Sequence, residues 1–208
     1  MSINLDRYRL FIYDFDGVIK QSVQAKTDAF VSMFEEYDWN IKNYVKNYHE
    51  TNGGVSRYEK FKHYYSFLFD RSLENKELEQ LARRFSNAVL DKVVESDYLP
   101  GALKTIDKTS RLGKNIICTG TPQTEMKIIL NRLEIENFFV DVYGSPKSKS
   151  VILSEVLSQY DIPRSDMIYF GDSITDKEAA IKHNIDFVGV NYFNNCVLEN
   201  SIKDFTEL

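Results

Sequence analysis

Short apolar runs alternate with stretches of helical periodicity over most of the chain. Residues 10–13, 115–118, 139–142, 167–170 and 187–190 form runs of strand length, dominated by apolar side chains. They predict buried strands. Between the last four lie segments with helical spacing, at 123–133, 151–160 and 176–183. Strand and helix in alternation predict a parallel sheet with helices on both faces. In such sheets, ligands bind at the carboxyl ends of the strands.

The gap between the first two runs breaks this rhythm. From Ser22 to Val94 there is no strand-like alternation. Instead, apolar stripes recur at helical spacing: Phe30, Phe34 and Tyr37; Phe61, Tyr64, Tyr65 and Leu68; Leu78, Leu81, Phe85 and Val89. Ser56 and Glu59 have the spacing of a capping box. Pro100-Gly101 breaks the chain at the return. The expected organisation is a helical insert at 20–98 within an α/β core formed by 1–19 and 99–208. The aromatic stripes are expected to form the insert's own core and its seam with the sheet.

Composition excludes several alternatives. The chain has 208 residues, 43% of them apolar, and a net charge of −5 with both signs interspersed. That is enough for a packed core, but it is not the basic footprint of a nucleic-acid binder. No apolar run approaches the roughly 20 residues of a membrane helix. The N-terminal residues lack the apolar stretch of a secretory leader. The only cysteines are Cys118 and Cys196, with no C-x-x-C pair, so a reduced, cytoplasmic protein is expected. Cys118 is expected to be buried. His49, His63 and His183 have no metal-ligand spacing and are expected at the surface or half-buried.

Candidate chemistry gathers at the strand ends. The first strand runs into Asp14-Phe15-Asp16-Gly17. Residues i and i+2 of an extended chain share a side, and Gly17 lets the backbone turn away. Two carboxylates that close need a cation or a proton between them. The second strand ends in Cys118-Thr119-Gly120-Thr121-Pro122, where Thr121 and Pro122 have the types of a helix N-cap and N1. Gly144-Ser145-Pro146-Lys147-Ser148-Lys149 precedes the next helix, and Gly171-Asp172-Ser173-Ile174-Thr175-Asp176 follows the fourth strand. Carboxylates suit Mg²⁺. The Thr119 hydroxyl, the Gly120 amide and Lys147 or Lys149 suit phosphate oxygens. This set fits phosphoryl transfer, which depends on positioning and electrostatic stabilisation.

In order and type, these segments resemble the motifs of the haloacid dehalogenase superfamily of phosphohydrolases, which have a Rossmann-like core. The insert sits where that family carries its C1-type helical cap. The likeness extends to phosphoglycolate phosphatases and β-phosphoglucomutase. It implies Asp14 as nucleophile, Asp16 as acid and then base, Thr119 and Gly120 as phosphoryl ligands, and Lys149 as the motif lysine. It also implies a Mg²⁺ site at Asp14, Asp172 and the Asp16 carbonyl, with Asp176 holding the metal's water or the lysine. Members that break carbon–halogen bonds lack the second aspartate, so Asp16 points to phosphate esters. Arg57, after Gly53-Gly54-Val55-Ser56, resembles a cap residue that contacts a distal anionic group. Lys26 stands where the mutase has a histidine, and Gln21 where an aspartate is common.

The expectation is a Mg²⁺-dependent phosphatase acting through an aspartyl-phosphate, with a phosphomutase or a non-catalytic binding protein as alternatives. The expected partner is a small phosphorylated metabolite, with no nucleic acid and no membrane. The expected assembly is a monomer or homodimer.

Overall fold

The computed structural model describes residues 3–190 and 200–208; Cys196 lies outside the described residues. Strands β1 (Leu10–Tyr13), β2 (Lys114–Pro122), β3 (Asp141–Ser145), β4 (Met167–Gly171), β5 (Asp186–Val190) and β6 (Ser201–Ile202) form one sheet in the order β3-β2-β1-β4-β5-β6. Every pairing is parallel. Helices α1 (Val23–Ser32), α2 (Trp39–Thr51), α3 (Arg57–Phe69) and α4 (Asn75–Glu95) follow β1. Helices α5 (Ala102–Leu112), α6 (Gln123–Arg132), α7 (Lys149–Gln159) and α8 (Ile174–His183) serve the sheet.

Period-2 alternation in the central strands supplies two cores. Leu10 and Ile12 of β1 join Ile116, Met167 and Tyr169 against α7 and α8. Phe11 and Tyr13 point the other way, with Ile117, Ile168 and Phe170, against α5 and α6. Strand β1 is therefore apolar at every position and wholly buried. The second core runs without a break into the inserted helices. There Phe30 meets Phe85 at 4.1 Å and Phe61 at 5.4 Å between ring centres, and Phe34 meets Tyr64 edge-on at 5.6 Å.

Strand order reverses at β1, with β2 on one side and β4 on the other. A crevice opens at the carboxyl ends of the strands at such a switch point. Asp14 follows β1 and Asp172 follows β4, so the fold carries both to that crevice.

Three local expectations change. Strand β3 begins at Asp141, because Glu136–Phe138 forms a 3₁₀ turn that ends at Phe139. The Phe139 ring instead packs edge-on against Tyr13. Ser56 caps α3 by accepting from the Glu59 amide at 3.3 Å, but the Glu59 carboxylate pairs with Lys62 at 2.8 Å rather than closing a capping box. His49 is buried, while Cys118 is buried as expected. No described helix is long and apolar enough to cross a membrane.

Phe85 joins the aromatic cluster of the inserted helices. Phe85→Ala should therefore destabilise the protein by about 3–5 kcal/mol. Phe85→Leu should cost about 1–2 kcal/mol, because it keeps most of the apolar volume. Urea midpoints at unchanged m-value would measure both.

Candidate active site

The four strand-end segments converge. Asp14 is held by its own amide, which donates to Phe170 O at 2.9 Å, and its Oδ1 accepts from the Phe15 amide at 2.6 Å. Its Oδ2 accepts from Lys149 Nζ at 2.7 Å. Lys149 also donates to Asp176 Oδ1 at 2.5 Å, and Tyr169 OH donates to the same oxygen. Lys149 is the first residue of α7, which Ser148 caps. A cation there opposes the helix dipole, so its carboxylate partners hold it in place. Lys147, the other lysine of this segment, is exposed and pairs with Glu155 at 2.7 Å.

Asp14, Asp172 and Asp176 offer carboxylate oxygens that all lie within 4.8 Å of one another. Burial pushes the Asp14 carboxyl up to about 6; Asp176 and Asp16 add to this, and Lys149 opposes it. Burial also pushes Asp172 well above the carboxylate range, with repulsion from Asp14 and Asp176 adding to it. The Asp172 side chain makes no hydrogen bond among the described residues. With all three ionised, one lysine leaves two negative charges over, the charge of one divalent cation. Hard oxygen donors in this number suit Mg²⁺, and the residues present fit it. Gly17, at φ +80°, serves the same cluster: a Cβ there would lie 2.1 Å from the Asp172 carboxylate.

Asp16 stands two residues on, in a different setting. Its carboxylate accepts from Ser22 Oγ at 2.6 Å, from Thr121 Oγ1 at 3.2 Å and from Lys26 Nζ. Burial works to raise its carboxyl, but the Lys26 charge and these hydrogen bonds hold it below the ordinary range. The Thr121 hydroxyl is part of this site, because it also accepts from Lys26 at 2.6 Å. It does not cap α6, whose flanking residue is Pro122. A hydroxyl next to proline looks like a helix start in sequence, and nothing local distinguishes the two roles.

Thr119 is buried, and its Oγ1 accepts from the Thr121 amide at 3.2 Å. Its own proton is not used by any described residue. The neighbouring Gly120 admits the inserted helices' loop, since a Cβ there would lie 2.7 Å from Gly54 O. On the other side, Thr175 Oγ1 donates to Gly53 O at 3.1 Å. Together the strand ends and the inserted helices enclose a cavity of about 270 Å³, bordered by Asp14, Asp16, Thr119, Gly120 and Asp172.

Arg57 reaches the cavity wall with its charge already engaged. Its guanidinium donates to both oxygens of Glu125, at 2.6 and 2.8 Å, and to Ser86 Oγ at 2.5 Å. The pair is buried and ties α3 to α6. The carboxylate partner lies 68 positions away in sequence, so no motif points to it.

Residues 11–190 match the profile of a family described as haloacid dehalogenase-like hydrolase. No curated protein matches the chain significantly. Among solved structures, β-phosphoglucomutase from Clostridium difficile superposes with a TM-score of 0.76 at 20% identity, over 97% of this chain and 93% of that one. A predicted phosphoglycolate phosphatase from Haemophilus somnus gives 0.74 at 16% identity, over 97% and 96%. The hydrolase YfnB from Bacillus subtilis, bound to magnesium, gives 0.73 at 18% identity, over 97% and 96%. At these identities the likeness is one of fold.

Glu125→Gln should destabilise the protein by about 3–5 kcal/mol at neutral pH, because it leaves a buried guanidinium without its counter-charge. Burial works to raise the Glu125 carboxyl, but Arg57 and Ser86 hold it below its ordinary value of 4.5. A depressed folded value contributes stability that is complete above the unfolded value and is lost as pH falls through the folded one. Denaturation across acid pH should therefore show wild type and variant converging.

Proposed function

The chain belongs to the haloacid dehalogenase-like hydrolase family, and from that membership we propose that it is a Mg²⁺-dependent phosphatase of a small phosphorylated metabolite. The observation that carries this reading is the meeting of Asp14 and Asp172, which border the cavity, with Lys149 and Asp176; Asp16 and Thr119 border the same cavity.

Asp14 attacks phosphorus in this reading. The bond to the leaving alcohol breaks, and an aspartyl-phosphate forms. Lys149 orients the attacking carboxylate through its 2.7 Å hydrogen bond and is itself anchored by Asp176. The Thr119 hydroxyl and the Gly120 amide donate to the phosphoryl oxygens. Asp16, held as a carboxylate by Lys26, Ser22 and Thr121, takes a proton from water as that water attacks phosphorus. Phosphate leaves and Asp14 is regenerated. The proton on Asp16 goes to the leaving oxygen of the next substrate, so the cycle balances. Mg²⁺, held by Asp14 and Asp172 with Asp176 nearby, would offset the charge of phosphate and nucleophile.

The inserted helices act as a cap that opens to admit substrate and closes to exclude water. Their closed position is supported by the Arg57–Glu125 pair and the seating of Gly53 and Gly54 on the strand ends.

Purified protein with Mg²⁺ should hydrolyse p-nitrophenyl phosphate, and Asp14→Asn should reduce this to background. Asp16→Asn should cost roughly 10²–10⁴-fold on alkyl phosphates, and less on the aryl ester, whose leaving group needs no proton. A folded, Mg²⁺-loaded wild type that is inert across a broad ester panel would sink the reading. Isomer formation on hexose phosphates without phosphate release would redirect it to a mutase.

Asp172→Asn should weaken Mg²⁺ binding by at least about tenfold. Titration calorimetry measures this without turnover.

A further inference from the structure

The cavity over Asp14 also reaches a buried cation that the chemistry above does not use. Lys60 on α3 is 2% exposed and borders the cavity. Its Nζ donates to His49 Nδ1 at 2.7 Å and approaches the His49 carbonyl oxygen at 3.5 Å. It also lies 5.5 Å from the centre of the Phe30 ring. Burial, with the field of Lys60, lowers His49 so that its ring is a neutral acceptor. Burial, with the fields of Lys26 and Lys149, pushes Lys60 itself down to about 7, and the more distant carboxylates Asp16 and Asp172 offset this only in part.

The other cations in or beside this cavity have carboxylate partners. Lys26 sits on Asp16, Lys149 on Asp14 and Asp176, and Arg57 on Glu125. Lys60 has none among the described residues. Glu50 also borders the cavity, but it is exposed and makes no hydrogen bond to Lys60. An ammonium has three donors, and among the described residues His49 supplies its only acceptors. A buried cation without a counter-charge is strongly disfavoured. An anion entering the cavity removes that penalty in a place where charges are weakly screened. Lys60 belongs to the inserted helices, whereas the phosphoryl ligands lie on the sheet. Both sets border the same cavity, so one small molecule held in it faces both.

We propose that Lys60, oriented by His49, is a specificity-determining residue that takes a second anionic group, a carboxylate or a second phosphate, on a phosphate ester whose phosphoryl group sits over Asp14. The assignment rests on the phosphatase reading for the first group only. Arg57 is the cap cation that the sequence singles out, but Glu125 neutralises it before any ligand enters.

Binding to the inert Asp14→Asn variant with Mg²⁺ tests this by calorimetry. The probes are 2-phosphoglycolate against 2-hydroxyethyl phosphate, and fructose 1,6-bisphosphate against fructose 1-phosphate. In at least one pair the more anionic ester should bind about tenfold tighter or more, the scale of a charged hydrogen bond. The pair that discriminates identifies carboxylate or phosphate. Adding Lys60→Met should bring that ratio to within about twofold, and Lys60→Arg should retain part of it. Equal binding within both pairs, no binding of any of the four, or an unchanged ratio in Lys60→Met with a native melting transition would overturn the assignment. Wild-type hydrolysis of p-nitrophenyl phosphate reports separately on the phosphatase reading, so the two failures are distinguishable.

Discussion

Mutual repulsion of carboxylates at the ends of parallel strands is the constraint on which the rest of the structure depends. Three of them come within 4.8 Å of one another. At an effective dielectric of about 20, each ionised pair at that distance repels by about 3 kcal/mol. Lys149 offsets part of this by bridging Asp14 and Asp176. The remainder calls for protons or a divalent cation, and the raised carboxyls of Asp14 and Asp172 express that demand. A cluster of this kind persists only where surrounding structure over-determines it. Here a wholly buried β1, a capped α7 and the tight turn at Gly17 do so.

The same cluster explains why two aspartates two residues apart behave differently. Asp14 lies among carboxylates and is pushed up, whereas Asp16 lies against Lys26 and is held down. Neighbouring acids whose environments drive them apart can take different parts in one reaction. The difference between them is therefore a property of the surroundings, since both residues have the same side chain.

The inserted helices complete the site from the far side. Their aromatic core is continuous with one face of the sheet, and their loop approaches the strand ends closely enough that Gly120 cannot carry a side chain without displacing it. Asp14 and Lys149 are buried there, and charges interact most strongly when desolvated. From the inserted helices Lys26 brings positive charge to Asp16, and Lys60 brings to the cavity a cation with no carboxylate partner among the described residues.

Much of this was legible in the chain. Runs of apolar residues with period 2 or 3.6 specify elements because burial follows periodicity, and the strand-end aspartates stood out because short motifs survive as local sequence. Asp14, Asp16, Lys149, Asp172 and Asp176 meet through three separate segments, and the parallel alternation of elements already implied that those segments share one sheet edge. Partnerships were not legible. Nothing near Arg57 announces Glu125, nothing near Lys60 announces His49 as its hydrogen-bond partner, and Thr121 has the local appearance of a helix cap while its hydroxyl serves Asp16. Local sequence determines element type and which face is apolar, because those depend on neighbours one turn away. Which charge is spent on which, and which is left facing a cavity, depends on side chains brought together across tens of residues, and only the tertiary structure decides it.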